Sequence, residues 1–158
     1  YVSVPTDVPP ERLAALARHR GPLGLAGIAS LDERRAAILA ARPRHRGIEG
    51  ISGLYLDRVA GVTPHVAAIL ATYRAGELWL GGLTTLSDAV ARALITQPIL
   101  GLDRIERLTD RVAGVLAGFE GVSLSLLCLR HVSPTALAAL RANPAIALPK
   151  ALRESVAS

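Results

Sequence analysis

Aromatic residues are nearly absent from this chain. One Phe, one Trp and three Tyr make up 3% of its 158 residues, although 51% of them are hydrophobic. A core without large rings has to be assembled from Leu, Val, Ile and Ala, and many small contributions of that kind point to repetition. Disulfide chemistry is excluded inside the chain, because Cys128 is the single cysteine. That usage favours a reducing compartment, so a cytoplasmic location is expected. Lysine occurs once, at Lys150, and the other 17 of the 18 basic residues are Arg. With so much Ala, this suggests a GC-rich genome more than a selected function. Methionine is missing and the chain opens on Tyr1, which leads us to expect a piece excised or processed from a longer protein. Long apolar runs are missing too. Val66 to Ala71 is typical of those present, so no membrane insertion is expected. No signal-peptide pattern opens the chain.

Laid on itself, the chain repeats. LGLAGIASLD at Leu23, LYLDRVAGVT at Leu54, LWLGGLTTLS at Leu78, LGLDRIERLT at Leu100 and LSLLCLRHVS at Leu124 share one form. That form is L-x-L-x-x-φ-x-x-φ followed by Ser, Thr or Asp, where φ is aliphatic. The heads Leu23, Leu54, Leu78, Leu100, Leu124 and Leu148 give steps of 31, 24, 22, 24 and 24 residues. L-x-L reads as a short strand with two aliphatic side chains on one face. Asp32, Thr63, Ser87, Thr109 and Ser133 close the motif. Each is suited to accept a bond from an unpaired amide at a helix start. Glu33, Pro64, Asp88, Asp110 and Pro134 come next, residues favoured at a first helical position. No copy carries Glu or Gln three residues after the cap, so the full capping box is absent. Ala36, Ala67, Ala91, Ala113 and Leu137, each succeeded three residues later by Leu39, Leu70, Leu94, Leu116 and Leu140, form one inward stripe per helix. Gly21, Gly47, Gly76 and Gly118 are expected to end helices, as are Pro98 and Asn143-Pro144.

A unit of this size cannot bury its own apolar face, but stacked units share one core. The expected fold is therefore α/β, with parallel strands on a concave face and short helices on a convex one. About six repeats of 22–24 residues, one of them 31 long, build a single repeat domain over residues 1–158. Its units are a truncated repeat over 1–22, a repeat with an insertion over 23–53, repeats over 54–77, 78–99, 100–123 and 124–147, and a terminal cap or truncated repeat over 148–158. The pattern resembles the leucine-rich-repeat superfamily, in the atypical arrays of some bacteria that place a helix after each L-x-L-x-x-L-x-x-L-S block. That resemblance implies a leucine-rich-repeat-like solenoid. The family's Asn is replaced here by Ile28, Val59, Leu83, Ile105 and Leu129, so its Asn ladder, and the curvature that ladder sets, are not carried over. The competing reading is an ordinary globule of alternating strands and helices.

Two regions stand out as candidate sites. The x of L-x-L points away from the core, which places Gly24, Tyr55, Trp79, Gly101 and Ser125 in one outward row, and Ala26, Asp57, Gly81, Asp103 and Leu127 in the next. Tyr55 and Trp79 are neighbours about 5 Å apart at the backbone. With Asp57, Asp103 and the edge residues Arg58 and Arg104, they form a candidate partner-binding patch. The glycines leave room for a ligand backbone. The bland reading is a cross-strand pair that only stabilises the sheet. The second region is the surplus of the 31-residue repeat, where Arg42, Arg44, His45 and Arg46 form a basic loop. Residues 1–46 carry eight Arg against Asp7, Glu11, Asp32 and Glu33, a local +4, while the remainder holds ten basic against nine acidic residues, +1.

Chemistry is largely missing. His19, His45, His65 and His131 lie in different repeats without ligand spacing, and none joins Cys128 in a zinc pattern. No phosphate loop or nucleophile elbow occurs. Asp57 and Asp103 sit two strands apart, about 10 Å, too far to share a proton. No catalytic residue, metal or cofactor is expected. Three functions compete: a protein-interaction module or scaffold working through its strand face, binding of nucleic acid or an acidic partner through the Arg-rich N-terminal region, and a structural spacer in a longer repeat protein.

Overall fold

The structure, a computed structural model, describes residues 2–3, 8–19, 22–42, 53–73 and 76–154. Among these residues seven short strands alternate with seven helices: β1 (Val2–Ser3), α1 (Pro10–Ala17), β2 (Leu23–Gly24), α2 (Glu33–Ala40), β3 (Gly53–Tyr55), α3 (Pro64–Leu70), β4 (Glu77–Trp79), α4 (Asp88–Leu94), β5 (Ile99–Gly101), α5 (Asp110–Ala117), β6 (Ser123–Ser125), α6 (Pro134–Arg141), β7 (Ile146–Ala147) and α7 (Lys150–Glu154). The strands form one all-parallel sheet whose spatial order is the chain order, β1 to β7. Each of α1 to α5 packs on the next, so α1 to α6 form a single row. The chain is thus α/β, with a repeat-like architecture. No helix among the described residues is long and apolar enough to cross a membrane.

The repeat motif sets the register. Leu23 pairs with Leu54, Leu54 with Leu78, Leu78 with Leu100 and Leu100 with Leu124. The second leucine of each L-x-L then donates its N–H to the x carbonyl of the following unit: Leu25 to Tyr55, Leu56 to Trp79, Leu80 to Gly101, Leu102 to Ser125 and Leu126 to Ala147, all at 2.8–2.9 Å. These leucines are buried and belong to one continuous core with the helix stripe. Full burial of each is worth about 1.5–3 kcal/mol. The spacing places Leu148 at the head of the last unit, but Ile146 is the residue that pairs with Leu124. The last step is therefore 22 residues, and Leu148 takes the second leucine position, buried at the end of the core. This register also removes Lys150 and Arg153 from the aliphatic positions that the 24-residue step assigns them. At the other end, the unit over 1–22 supplies both a strand and a full helix.

The five caps sit where the sequence places them. Asp32, Thr63, Ser87, Thr109 and Ser133 accept bonds from the amides of Arg35, Val66, Val90, Val112 and Ala136. The inward stripe is one residue wider than the i, i+3 pattern: Val66, Val90, Val112 and Ala136 are buried as well. In α6, Ala136 takes the inward place and Leu137 is only partly buried. Gly118 is the C-cap of α5. Gly76 does not end a helix, because α3 stops at Leu70 and Ala71 is its C-cap. Likewise α4 ends at Leu94, ahead of Pro98, and α6 at Arg141, ahead of Asn143-Pro144. Gly21 and Gly47 lie outside the described residues.

The helix ends carry a column of residues that the motif does not contain. Arg42, Tyr73, Gln97, Phe119 and Asn143 all stand three residues after the last stripe leucine. Gln97 is fully buried and donates from Nε2 to the carbonyls of Leu70 (3.1 Å) and Ala71 (2.9 Å), the trailing carbonyls of α3. Asn143 Nδ2 donates to Ala117 and Phe119 at the end of α5, while its Oδ1 accepts from Ala145. Arg42 donates to the carbonyls of His19 and Gly53. Helix ends leave carbonyls without intrahelical partners, and here the next repeat supplies the donors. Between the polar members sit Tyr73, fully buried, and Phe119.

Two outcomes are expected from this column. Gln97→Leu removes the donor shared by two carbonyls and should destabilise the protein by about 1–3 kcal/mol, read from the midpoint of urea unfolding. An unchanged midpoint would mean that water replaces the amide without loss. Tyr73 answers to pH. Burial pushes its phenol above the ordinary value, Arg42 opposes this, and Tyr55 and Glu77 add to it. The folded chain holds that proton more tightly than the unfolded one. The stability so contributed is complete below the unfolded-state value of about 10 and is lost as pH rises through the raised folded value. Unfolding measured at pH 8 and pH 11 should show a smaller alkaline loss in Tyr73→Phe than in the wild type.

Candidate functional site

The middle of the sheet holds the two aromatic residues that the motif places side by side. Tyr55 on β3 and Trp79 on β4 are register partners. Their rings are nearly parallel (10°) with centroids 6.4 Å apart, within the 4.5–7 Å range of aromatic pairs. Both remain partly exposed. Three features hold them. The indole N–H of Trp79 donates to Glu77 Oε2 at 2.8 Å. Glu77 stands two residues earlier on the same strand, hence on the same face. A Cβ built on Gly101, next in the row, would overlap Cε3 of Trp79, so the indole lies over Gly101. A Cβ on Gly53 would sit 2.6 Å from Cε2 of Tyr55, so the phenol leans back over Gly53. The space at Gly101 is therefore filled by the protein's own ring, which corrects the expectation that this glycine leaves room for a ligand backbone.

The carboxylates of the patch differ in their surroundings. Asp103 Oδ1 accepts from the Ser125 hydroxyl and from the Leu127 amide (3.0 Å). It thereby brackets the turn of the following repeat, and Ser125 is buried by the arrangement. Asp57, the equivalent residue two repeats earlier, is exposed, with its Oδ1 2.7 Å from the place a Cβ of Gly81 would occupy. Glu77 and Gly53 belong to the site although the sequence reading leaves them out. Their signal is the i, i+2 spacing to Trp79 and Tyr55 along one strand face. Across the described strands and the outward row beyond them, Glu77, Asp57 and Asp103 are the charged residues, and no Arg or Lys occurs. Leu127, in that outward row, is 53% exposed.

The basic candidates are placed elsewhere. Arg58 and Arg104 are exposed in the turns after β3 and β5, one residue past the outward row. Arg42, expected in an exposed basic loop, is only 6% exposed. Its guanidinium is committed to the carbonyls of Gly53 and His19. Burial lowers its pKa from the ordinary value, an effect that Tyr73 partly offsets. Arg44, His45 and Arg46 lie outside the described residues. Among the described residues no group of three or more His, Cys, Asp or Glu side chains is arranged to hold a metal ion.

Glycine substitutions separate the floor of the site from its frame. The three nearest atoms to a Cβ at Gly101 all belong to the Trp79 ring, so Gly101→Ala displaces that ring rather than the backbone. Emission of this single tryptophan should shift to longer wavelength while far-ultraviolet circular dichroism stays unchanged. Gly82→Ala instead meets backbone, with Val59 O, Val59 N and the Arg58 carbonyl carbon at 2.6–2.8 Å. It should cost about 1–3 kcal/mol, as overpacking does. Equal losses in the two variants would mean that the Trp79 ring is as fixed as the backbone. Compared with known proteins, the chain matches no family model, and no curated protein or solved structure matches it significantly.

Proposed function

We propose that this chain is a single-domain, leucine-rich-repeat-like solenoid and a non-enzymatic protein-interaction module, gripping its partner on the concave strand face at Tyr55 and Trp79. One observation carries this reading: the aromatic pair is partly exposed yet held in place, by Glu77 on the indole nitrogen and by glycines beneath the rings. A rigid aromatic anchor loses little entropy when a partner covers it. Tyr and Trp in such settings dominate binding energy. The sequential parallel strands, the row of helices and the L-x-L register support the solenoid part.

The surroundings also select the partner's chemistry. In a chain of net charge +5, the strand face is acidic, with Glu77, Asp57 and Asp103 around the rings. A guanidinium or ammonium group from the partner would stack on the rings and meet these carboxylates. Asp57 is the carboxylate most open to meet it, because one Asp103 oxygen already holds Ser125 and Leu127 and one Glu77 oxygen holds the indole N–H.

Trp79 is its own reporter. Titration with an arginine-rich peptide should quench its emission saturably, and a glutamate-rich peptide of equal length should not. Tyr55→Ala/Glu77→Gln should weaken the arginine-rich peptide roughly 30-fold or more, the equivalent of about 2 kcal/mol for a hot-spot residue. Melting temperature serves as the control. If the variant folds and binds as well as the wild type, the patch is a stabilising cross-strand pair and not a binding site.

A further inference from the structure

A second surface lies in the turns that lead from the strands into the helices. There an open groove of about 420 Å³ is lined by Thr84, Thr85, Arg104, Glu106, Arg107 and His131. The residues come from three consecutive repeats: the threonines from the β4–α4 connection, Arg104 to Arg107 from β5–α5, and His131 from β6–α6. Backbone pairing holds two of these connections together. Arg107 and His131 form an isolated parallel bridge, and Leu108 donates to the carbonyl of His131 at 3.0 Å. Arg130 and His131 donate to the carbonyl of Glu106 at 2.8 and 2.9 Å. Arg107 and His131 are thus fixed side by side by the main chain, outside the strands proper.

Apart from Glu106, the side chains that line this groove can donate, and among the described residues Arg104 and Arg107 form no ion pair. Elsewhere in the molecule Arg34 pairs with Glu11, Arg35 with Asp32, and Arg92 and Arg111 both with Asp88. Among the described residues neither Arg104 nor Arg107 has a carboxylate within ion-pair distance, although Glu106 stands between them in sequence. Two guanidinium groups against one carboxylate leave the groove positive. The hydroxyls of Thr84 and Thr85 and the imidazole of His131 add further donor positions. Arginine matches the oxygens of a tetrahedral oxyanion two at a time. We infer that this groove is a binding site for a phosphoryl group, held by Arg104 and Arg107 and oriented by the threonine hydroxyls and His131. The lining shares no residue with Tyr55, Trp79 or Glu77, and the inference does not rest on their function.

The test is titration of the whole protein with inorganic phosphate, monitored by NMR, with chloride at matched ionic strength as the reference. Resonances of Thr84, Thr85, Arg107 and His131 should shift saturably with phosphate and not with chloride. Arg104→Gln/Arg107→Gln, both exposed positions, should weaken binding roughly tenfold or more, as expected on losing charge-assisted bonds. Glu106→Gln should strengthen it by removing the opposing charge. Two further arms separate the sources of the group: glycerol 3-phosphate as a free phosphomonoester, and a phosphoserine peptide beside its unphosphorylated form. Equal affinity for ester and phosphopeptide assigns the site to small phosphorylated molecules, and tighter phosphopeptide binding assigns it to a modified partner. Shifts that chloride reproduces, that fail to saturate, or that survive the double substitution would overturn the proposal.

Discussion

Strands of two or three residues depend on the backbone bonds that pass from one repeat to the next. The amide of each second leucine reaches the x carbonyl of the following unit, from Leu25 through Leu126. A single unit has one helix and one strand with nothing on which to bury its leucines. The same dependence appears at the opposite end of each helix. There Gln97 and Asn143 reach back to the trailing carbonyls of the preceding repeat. The second-leucine amides point forward along the array and the Gln97 and Asn143 side chains point backward, so the interior repeats are held by bonds of both directions.

How much of this is legible in the sequence depends on whether a position carries a constant residue type. Leucine at both ends of L-x-L is constant, so the register is readable, and so is the adjacency of Tyr55 and Trp79. The cap is also readable, because Asp, Thr and Ser do the same job with one side-chain oxygen. The column after each helix is constant in position but not in chemistry. Arg42, Tyr73, Gln97, Phe119 and Asn143 share no property that a motif search would group, and only their spacing from the stripe leucines betrays them. The final register escapes the sequence for a related reason. Ile146 and Leu148 are both aliphatic, so a repeat length of either 22 or 24 satisfies the pattern, and pairing with β6 decides between them.

Glycine in the outward row shows the other limit of sequence reading. A missing side chain can mean open space or space that a neighbour fills. At Gly101 and Gly53 the neighbour is an aromatic ring, which ties the posture of Trp79 and Tyr55 to residues that carry no chemistry of their own. The floor and the rings therefore form one unit. The same reasoning applies to Gly82, where the filler is the backbone of Val59 and the preceding carbonyl carbon, and the consequence is close approach of two repeats rather than exposure of a ring.

Repetition turns each position of the motif into a line across the surface, and adjacent positions become adjacent lines with separate chemistries. Asp57-Arg58 and Asp103-Arg104 make this concrete. In the second pair the carboxylate brackets the next repeat beside the strand face, while the guanidinium, one residue later, lines the groove with Arg107 and His131. Opposite charges that would neutralise each other on a helix surface are sorted here by the turn between them. The acidic line stays with the aromatic pair and the basic line with the threonines. A molecule of net charge +5 thereby keeps an acidic strand face and a basic groove side by side, without either cancelling the other.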